Sequence, residues 1–103
     1  MRPESRQPAL TEGQRAIVRE VLDRVIPGAE VWLFGSRTTG RARPFSDLDL
    51  LITRPGRLTW AQRAALSDGF EASELPFRVD VVEADGLAAE MATRIMAERM
   101  ALR

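Results

Sequence analysis

A chain of 103 residues, 45% hydrophobic and 29% charged, suits one small globular domain and argues against disorder. Its fifteen basic and fifteen acidic residues cancel, so the net charge does not favour binding to nucleic acid or to a membrane surface. The chain has no Cys, His or Lys, which excludes zinc sites, thiol nucleophiles, Ser-His triads and the lysine-dependent Walker loop. It has no apolar run of membrane-spanning length and no signal-peptide core, and we expect a cytoplasmic protein.

The first half of the chain predicts a loose arm, one helix and one buried strand. Residues 1–10 are polar with two prolines, and we expect them to form the arm ahead of a single domain over residues 11–103. Thr11 and Gln14 have the spacing of a capping box, which predicts that a helix starts there. A continuous apolar run within Glu30–Phe34 predicts a strand buried on both faces.

The second half predicts two more strands, each followed by a helix. Strand patterns occupy residues 48–53 and 77–83. Thr59 and Gln62 form a second capping-box pattern, and Asp85 is the predicted cap of the last helix. The resulting order, α-β-(turn/helix)-β-α-β-α, indicates an α/β (α+β) fold with helices packed on a small sheet.

Two short motifs at neighbouring strand ends carry the chemistry of the chain. Gly35 and Ser36 follow the first strand, where backbone amides, the serine hydroxyl and the charge of Arg37 can bind a phosphate. Asp47 and Asp49 lie two residues apart, so on a strand their side chains project from the same face. Such a pair suits one or two Mg²⁺ ions, with Mn²⁺ as an alternative. The competing interpretation is an acidic pair beside a turn that binds no metal.

Charged residues outside the two motifs also have competing interpretations. Asp80 interrupts a run of valines in the third strand, where a charge is costly unless it is paired or bound to metal. It is the candidate for a third carboxylate, as a metal ligand or a general base, and a structural ion pair with an arginine is the alternative. Glu83, at the end of the same strand, is the weaker candidate. Arg41 and Arg43 are interpreted as solvated.

The spacing of these residues resembles the signature of a known superfamily. Gly35-Ser36, ten further residues and then Asp47-x-Asp49 is similar to the signature of the nucleotidyltransferases that include DNA polymerase beta. The stretch 35–52 looks like the minimal nucleotidyltransferase branch of that superfamily. The third strand resembles the strand that carries this branch's third carboxylate. The resemblance extends over most of the chain.

The resemblance implies a palm-like mixed sheet and transfer of a nucleoside monophosphate, such as AMP from ATP, to an acceptor hydroxyl. It implies that the glycine and serine hold the β- and γ-phosphates and that the first two aspartates bind two metal ions. The third aspartate would join the ion that activates the acceptor. The predicted catalytic and metal-binding residues are therefore Asp47, Asp49 and Asp80, and the predicted nucleotide-binding residues are Gly35, Ser36 and Arg37.

The same resemblance implies a partner protein. Minimal nucleotidyltransferases of this kind resemble one half of a toxin–antitoxin pair with a helical HEPN-type partner, and they can transfer AMP to a tyrosine of that partner. This chain has no tyrosine, so a tyrosine acceptor must lie on another chain. Two alternatives stay open: a non-catalytic antitoxin that neutralises its partner by contact, and adenylylation of a small molecule, such as an aminoglycoside, with a second subunit. The neutral net charge does not favour polymerisation of nucleic acid.

The C-terminal residues leave one element open. Relatives tend to end in a short strand after the last helix, but residues 99–103 contain no glycine for the turn that would precede it. The sequence therefore does not decide whether a closing strand forms at residues 100–102.

Overall fold

A four-stranded mixed sheet, with helices on both faces, forms the framework of the described chain. The computed structural model describes residues 10–102. Its strands are ordered β3-β2-β1-β4, with β1 antiparallel to β2 and β4 and with β2 parallel to β3. The predicted mixed α/β architecture is therefore confirmed. In chain order the elements are α1 (Glu12–Val25), β1 (Glu30–Phe34), a short 3-10 helix (Gly35–Arg37), β2 (Leu48–Arg54), α2 (Trp60–Glu71), β3 (Val79–Glu83), α3 (Ala89–Glu98) and β4 (Met100–Ala101).

Helices α1 and α2 begin at the capping boxes that the sequence predicts. Thr11 Oγ1 accepts a hydrogen bond from the Gln14 amide at 3.0 Å, and Gln14 Oε1 accepts one from the Thr11 amide at 3.0 Å. Thr59 and Gln62 form the same reciprocal pair at the start of α2. Each box satisfies two amides that would otherwise have no helical partner. Within residues 10–102, no helix is long and apolar enough to cross a membrane.

Helix α3 begins later than predicted, and Asp85 is not its cap. The N-cap is Ala88, whose side chain makes no capping hydrogen bond. Asp85 lies in the preceding turn, where its amide donates to the Gly56 carbonyl at 2.9 Å and its carboxylate lies 3.9 Å from Arg57. Gly86, with a φ of +82°, turns the chain directly after Asp85, so a helix cannot continue from that position.

Alternation along β2 separates the two packed faces of the sheet. Leu48, Leu50 and Ile52 are fully buried on the face that α1 and α2 cover. Leu51 points to the opposite face, where it packs with Ile95 of α3. Because Asp49 is two residues from Leu51, its side chain projects from the α3 face as well.

The closing strand that the sequence leaves open does form. It pairs antiparallel with β1, with Leu33 opposite Met100 and Trp32 opposite Ala101. The chain leaves α3 at Arg99 with a φ of −65° and a ψ of 150°. This extended conformation is open to any residue, so the turn needs no glycine. The Arg99 guanidinium lies 4.2 Å from the centre of the Trp32 ring of β1, in a cation–π contact.

The first and last described residues are both buried in the core. Most of the predicted arm, residues 1–9, lies outside the described residues. Its last residue, Leu10, is buried in the cluster beneath α1 and α2. Leu102 is buried in the same cluster, and its carbonyl accepts a hydrogen bond from Nη1 of Arg15.

Candidate functional site

Gly35 joins β1 to the short 3-10 helix and lies directly against β2. Its φ is +86°, a left-handed conformation that residues with a side chain adopt only with strain. A Cβ atom at this position would overlap Oδ2 of Asp49. Glycine is therefore required both by the turn of the backbone and by the close approach of a carboxylate. The tertiary structure thereby sets the Gly35 turn next to the acidic motif.

The register of the sheet aligns two of the predicted carboxylates. Phe34, the last residue of β1, is opposite Asp49, and Asp49 is beside Asp80 in the parallel pair of β2 and β3. Asp47 lies immediately before β2. Arg78 reaches the two outer carboxylates, with Nη2 3.3 Å from Asp47 Oδ2 and Nε 4.0 Å from Asp80 Oδ1. This exposed arginine forms the ion pair considered as an alternative for Asp80, but a long, solvated pair contributes little stability.

Asp49 lies in an environment that disfavours its charge. Burial raises the pKa of its carboxyl, and the charges of Asp80, Asp47 and Glu98 raise it further. A divalent cation would relieve this repulsion, and carboxylate oxygens are ligands that Mg²⁺ and Mn²⁺ prefer, so the residues fit such an ion chemically. Within residues 10–102, no group of three Asp, Glu, His or Cys side chains is already arranged around one metal position. The side chains of Asp47 and Asp80 are about half exposed, 44% and 49% respectively.

A cavity of about 510 Å³ opens between the 3-10 helix, the start of β2 and the end of α3. Four of the six predicted site residues line it: Gly35, Ser36, Asp47 and Asp49. Asp80 does not line this cavity, although it is the strand neighbour of Asp49. The structure thus brings the predicted phosphate-binding turn and the acidic pair to one concave surface.

Arg37 is directed toward the loop that leads to Asp47. Its Nη2 donates hydrogen bonds to the carbonyls of Ser46 at 2.8 Å and Pro44 at 3.2 Å. Its guanidinium also lies 4.0 Å from the centre of the Phe77 ring, just before β3. These contacts hold the loop in front of the acidic motif. A contact between Arg37 and a nucleotide stays a prediction.

Glu83, the weaker candidate for the third carboxylate, makes its contacts at the far end of β3. It accepts hydrogen bonds from Nε of Arg63 at 2.5 Å and from the Leu58 amide at 2.8 Å. The bond from Arg63, followed by that from Leu58, holds the pKa of Glu83 below its ordinary value. Glu83 therefore connects the start of α2 to the sheet and does not line the cavity.

Two charged residues of α3 also line the cavity, although the sequence interpretation treats this helix as scaffold. Glu98 Oε1 accepts a hydrogen bond from the Gly35 amide at 3.2 Å, and Arg94 Nε lies 3.8 Å from Glu98 Oε2. Arg41, interpreted as solvated, lines the cavity too. One local signal was available, because an acidic residue in the last turn of a helix opposes the helix dipole. No local pattern connects that residue to Gly35, which lies 63 residues earlier.

Comparison with known proteins reveals the family. The sequence pattern of the nucleotidyltransferase domain matches residues 15–102. This chain belongs to the nucleotidyltransferase domain family. A solved structure provisionally described as a minimal nucleotidyltransferase is 35% identical, with a TM-score of 0.67, and the match covers 93% of this chain and 97% of that one. The family that the glycine-serine and aspartate motifs predict is confirmed.

Two further matches to this nucleotidyltransferase domain cover different shares of the chain. A Haemophilus influenzae protein named "Probable protein adenylyltransferase MntA" is 43% identical over 68 residues, which is 66% of this chain and 60% of that protein. This chain therefore spans less than two thirds of that relative's length. A crystal structure of a toxin–antitoxin with AMP-PNP is 23% identical, with a TM-score of 0.70 and coverage of 86% of this chain and 72% of that chain. At this identity the likeness shows a shared fold.

Proposed function

We propose that this nucleotidyltransferase domain transfers AMP from ATP to a hydroxyl group of a partner protein, in a reaction that depends on Mg²⁺. The observation that carries the proposal is the packing of the Gly35 turn against Asp49 beside one cavity. A phosphate-binding amide and a metal-binding carboxylate must lie this close if one ion is to contact both the protein and the phosphates. The name of the H. influenzae relative supports the same reaction class.

Five of the six predicted residues have a stated role in the proposal. The Gly35 amide and the Ser36 hydroxyl bind the β- and γ-phosphates of ATP, since both residues line the cavity. Asp47 and Asp49 are the proposed ligands of two Mg²⁺ ions, with Asp80 as the third carboxylate. Bound Mg²⁺ or Mn²⁺ would offset phosphate charge and lower the pKa of the acceptor hydroxyl.

At the α-phosphorus the transfer forms one bond and breaks one, and one proton is transferred as well. The acceptor oxygen bonds to the α-phosphorus of ATP, the bond from that phosphorus to the bridging oxygen breaks, and pyrophosphate leaves. The hydroxyl proton passes to a carboxylate of the site. The chain's own contribution is alignment, since the β1–β2 register holds the phosphate-binding turn beside the carboxylates.

The acceptor is proposed to lie on a second protein. The chain contains no tyrosine, so transfer to a tyrosine must occur in trans. A helical HEPN-type toxin is the proposed acceptor, with this chain as the antitoxin and the cytoplasm as the compartment that supplies ATP and Mg²⁺. The shared fold with a toxin–antitoxin crystal structure that contains AMP-PNP supports a toxin as the partner.

Label transfer tests the proposal directly. The purified chain is incubated with Mg²⁺, ATP labelled at the α-phosphate and lysate from the source cell, and proteins are then separated by size. We expect a labelled band other than this chain that is absent when the purified chain is left out. With the label on the γ-phosphate, the purified chain should add no band to those made by kinases of the lysate, because nucleotidyl transfer releases that phosphate in pyrophosphate. Asp47→Asn/Asp49→Asn should abolish the band, whereas Asp68→Asn, an exposed aspartate on α2, should not.

The remaining outcomes separate the alternatives. An Asp47→Asn/Asp49→Asn variant that labels nothing and still suppresses a toxic partner would favour neutralisation by contact. A labelled small molecule in place of a labelled protein would favour the adenylylation of a small-molecule acceptor. If the chain neither binds Mg²⁺·ATP nor transfers label, the proposed enzyme activity is wrong.

A further inference from the structure

The carboxylate of Glu98 lies at the backbone amide that is proposed to bind a phosphate. Its Oε1 accepts the hydrogen bond of the Gly35 amide at 3.2 Å, and its side chain is only 19% exposed. Glu98 also lines the cavity and is near enough to Asp49 for its charge to act on that carboxylate. The Gly35 amide therefore donates to an anionic group of the protein the hydrogen bond that it is expected to donate to an anionic ligand.

The closing strand holds Glu98 in this position. In the antiparallel pairing of β1 and β4, Leu33 is opposite Met100. Strand β1 ends one residue before Gly35 and β4 begins two residues after Glu98, so this pairing brings the two segments together. The backbone at Glu98 is thus held between α3 and β4 and does not belong to a flexible loop.

The placement of Glu98 is unfavourable for the free protein. An acidic side chain in the last turn of a helix faces the negative end of the helix dipole, and the last turn of α3 contains no basic residue. The carboxylate also repels Asp49, which already lies near two other aspartates. One stabilising contact is Arg94, one turn earlier, with Nε 3.8 Å from Glu98 Oε2. A charge that interacts unfavourably both with its helix dipole and with a neighbouring carboxylate is typical of functional positions.

Arg94 is suited to release the carboxylate of Glu98 and to bind a phosphate in its place. Its side chain is 66% exposed, it lines the same cavity, and its pair with Glu98 is long and weak. A guanidinium binds phosphate oxygens through two parallel hydrogen bonds, which are stronger than such a pair. Release of Glu98 would free both the Gly35 amide and the Arg94 guanidinium at one wall of the cavity.

We propose that Glu98 is a displaceable anion at the phosphate position of Gly35, and that Arg94 binds the phosphate chain once Glu98 has left. This inference rests on the proposed function and names residues that the family motif does not contain. Glu98 competes with the nucleotide and thereby lowers its affinity in the free protein. Arg94 contributes affinity for the triphosphate independently of the base.

Calorimetric titration with tripolyphosphate and with ATP, each with and without Mg²⁺, tests both roles. Tripolyphosphate carries the phosphate chain without a base. Glu98→Gln should tighten binding of both probes about 3- to 10-fold, and Arg94→Gln should weaken it by a similar factor. Glu30→Gln and Arg54→Gln are matched controls, because they change the same charges in an ion pair of 3.9 Å at the opposite end of the sheet. Both controls should leave the dissociation constants within about twofold of the wild type.

Each alternative outcome overturns the inference in a recognisable way. If Glu98→Gln binds as the wild type does or more weakly, while its thermal melt shows a folded protein, Glu98 is not a competitor. A loss of affinity in this variant that appears only with Mg²⁺ would make Glu98 a metal ligand. If the wild type binds ATP and Arg94→Gln does so equally well, Arg94 is not a phosphate ligand and the proposed function stands. A wild type that binds neither probe would overturn both proposals.

Discussion

Gly35 combines two constraints that no other glycine of residues 10–102 combines, a positive φ and a carboxylate in the space of a Cβ. Gly35→Ala and Gly40→Ala should each lower the free energy of unfolding by about 1–2 kcal/mol, because both glycines are left-handed. Only Gly35→Ala must also displace Asp49, since nothing lies within 4 Å of a Cβ at Gly40. We therefore expect Gly35→Ala to lose about 100-fold or more in label transfer.

Urea titration and label transfer measure these two effects separately. Equal activity in Gly35→Ala and Gly40→Ala would mean that Asp49 can move without loss of function. That result would contradict the role proposed for the Gly35 turn.

Asp49 illustrates a conflict between stability and chemistry. Because burial and three neighbouring acidic groups raise its pKa, the folded protein binds a proton there more tightly than the unfolded chain does. At pH values below the ordinary aspartate pKa, protonation of Asp49 therefore raises the free energy of unfolding. This contribution to stability is lost as the pH rises through the raised pKa of Asp49. At neutral pH without divalent cations, Asp49→Asn should raise Tm by about 1–4 °C while abolishing transfer.

Thermal melts in EDTA and in Mg²⁺ test this prediction for Asp49. Mg²⁺ should narrow the difference from the wild type, because it stabilises only the carboxylate form. A Tm of Asp49→Asn below that of the wild type in EDTA would show that the carboxylate makes a net stabilising contact. The exposed Asp68→Asn variant serves as the control for a change of one charge.

At the scale of elements, the two-residue strand β4 has an importance that its length does not suggest. It precedes Leu102, which is 1% exposed in the core beneath α1 and α2, and it begins two residues after Glu98. Leu102→Ala should therefore lower the free energy of unfolding by about 2–4 kcal/mol, through lost burial and a cavity. Met100→Ala should cost less than about 1 kcal/mol, since its side chain is 44% exposed.

Urea denaturation of the two variants compares a buried and an exposed side chain at the same end of the chain. Similar losses would indicate that the pairing of β4 with β1, rather than the core contact of Leu102, provides the stability.

At the scale of the whole molecule, the two faces of the sheet differ, because one packs most of the core and the other carries the candidate site. The face beneath α1 and α2 contains most of the buried residues, whereas Asp49 projects from the α3 face and Glu98 belongs to α3 itself. A ligand that binds this second face and not the unfolded chain must stabilise the whole fold. At about 100 times its dissociation constant, Mg²⁺·ATP should add about 2.7 kcal/mol and raise Tm on the order of 10 °C.

Addition of EDTA should reverse most of that shift in Tm, and Asp47→Asn/Asp49→Asn should show little of it. Differential scanning fluorimetry measures all three conditions. An equal shift in EDTA would mean that ATP binds without the metal, in conflict with the proposed roles of the two aspartates.

The sequence by itself determined the family, the starts of α1 and α2 and the positions of the first three strands. Thr11, Thr59 and their glutamines predict two helix starts correctly, because a capping box is made by residues three positions apart. Strands β1, β2 and β3 follow from apolar patterns that are equally local. The spacing from Gly35 to Asp49 predicts the family because it resembles the signature of the nucleotidyltransferases.

Only the tertiary structure decided which distant residues meet at the cavity. The contact between Gly35 and Glu98 spans 63 residues and adjoins the pairing of β1 with β4, a strand that no local signal predicted. The incorrect cap at Asp85 has a similar cause, because the turn at Gly86 and the contact with Gly56 decide that helix start. Local patterns record interactions within one or two turns of chain, whereas sheet register and packing bring together residues whose sequence contains no sign of the contact.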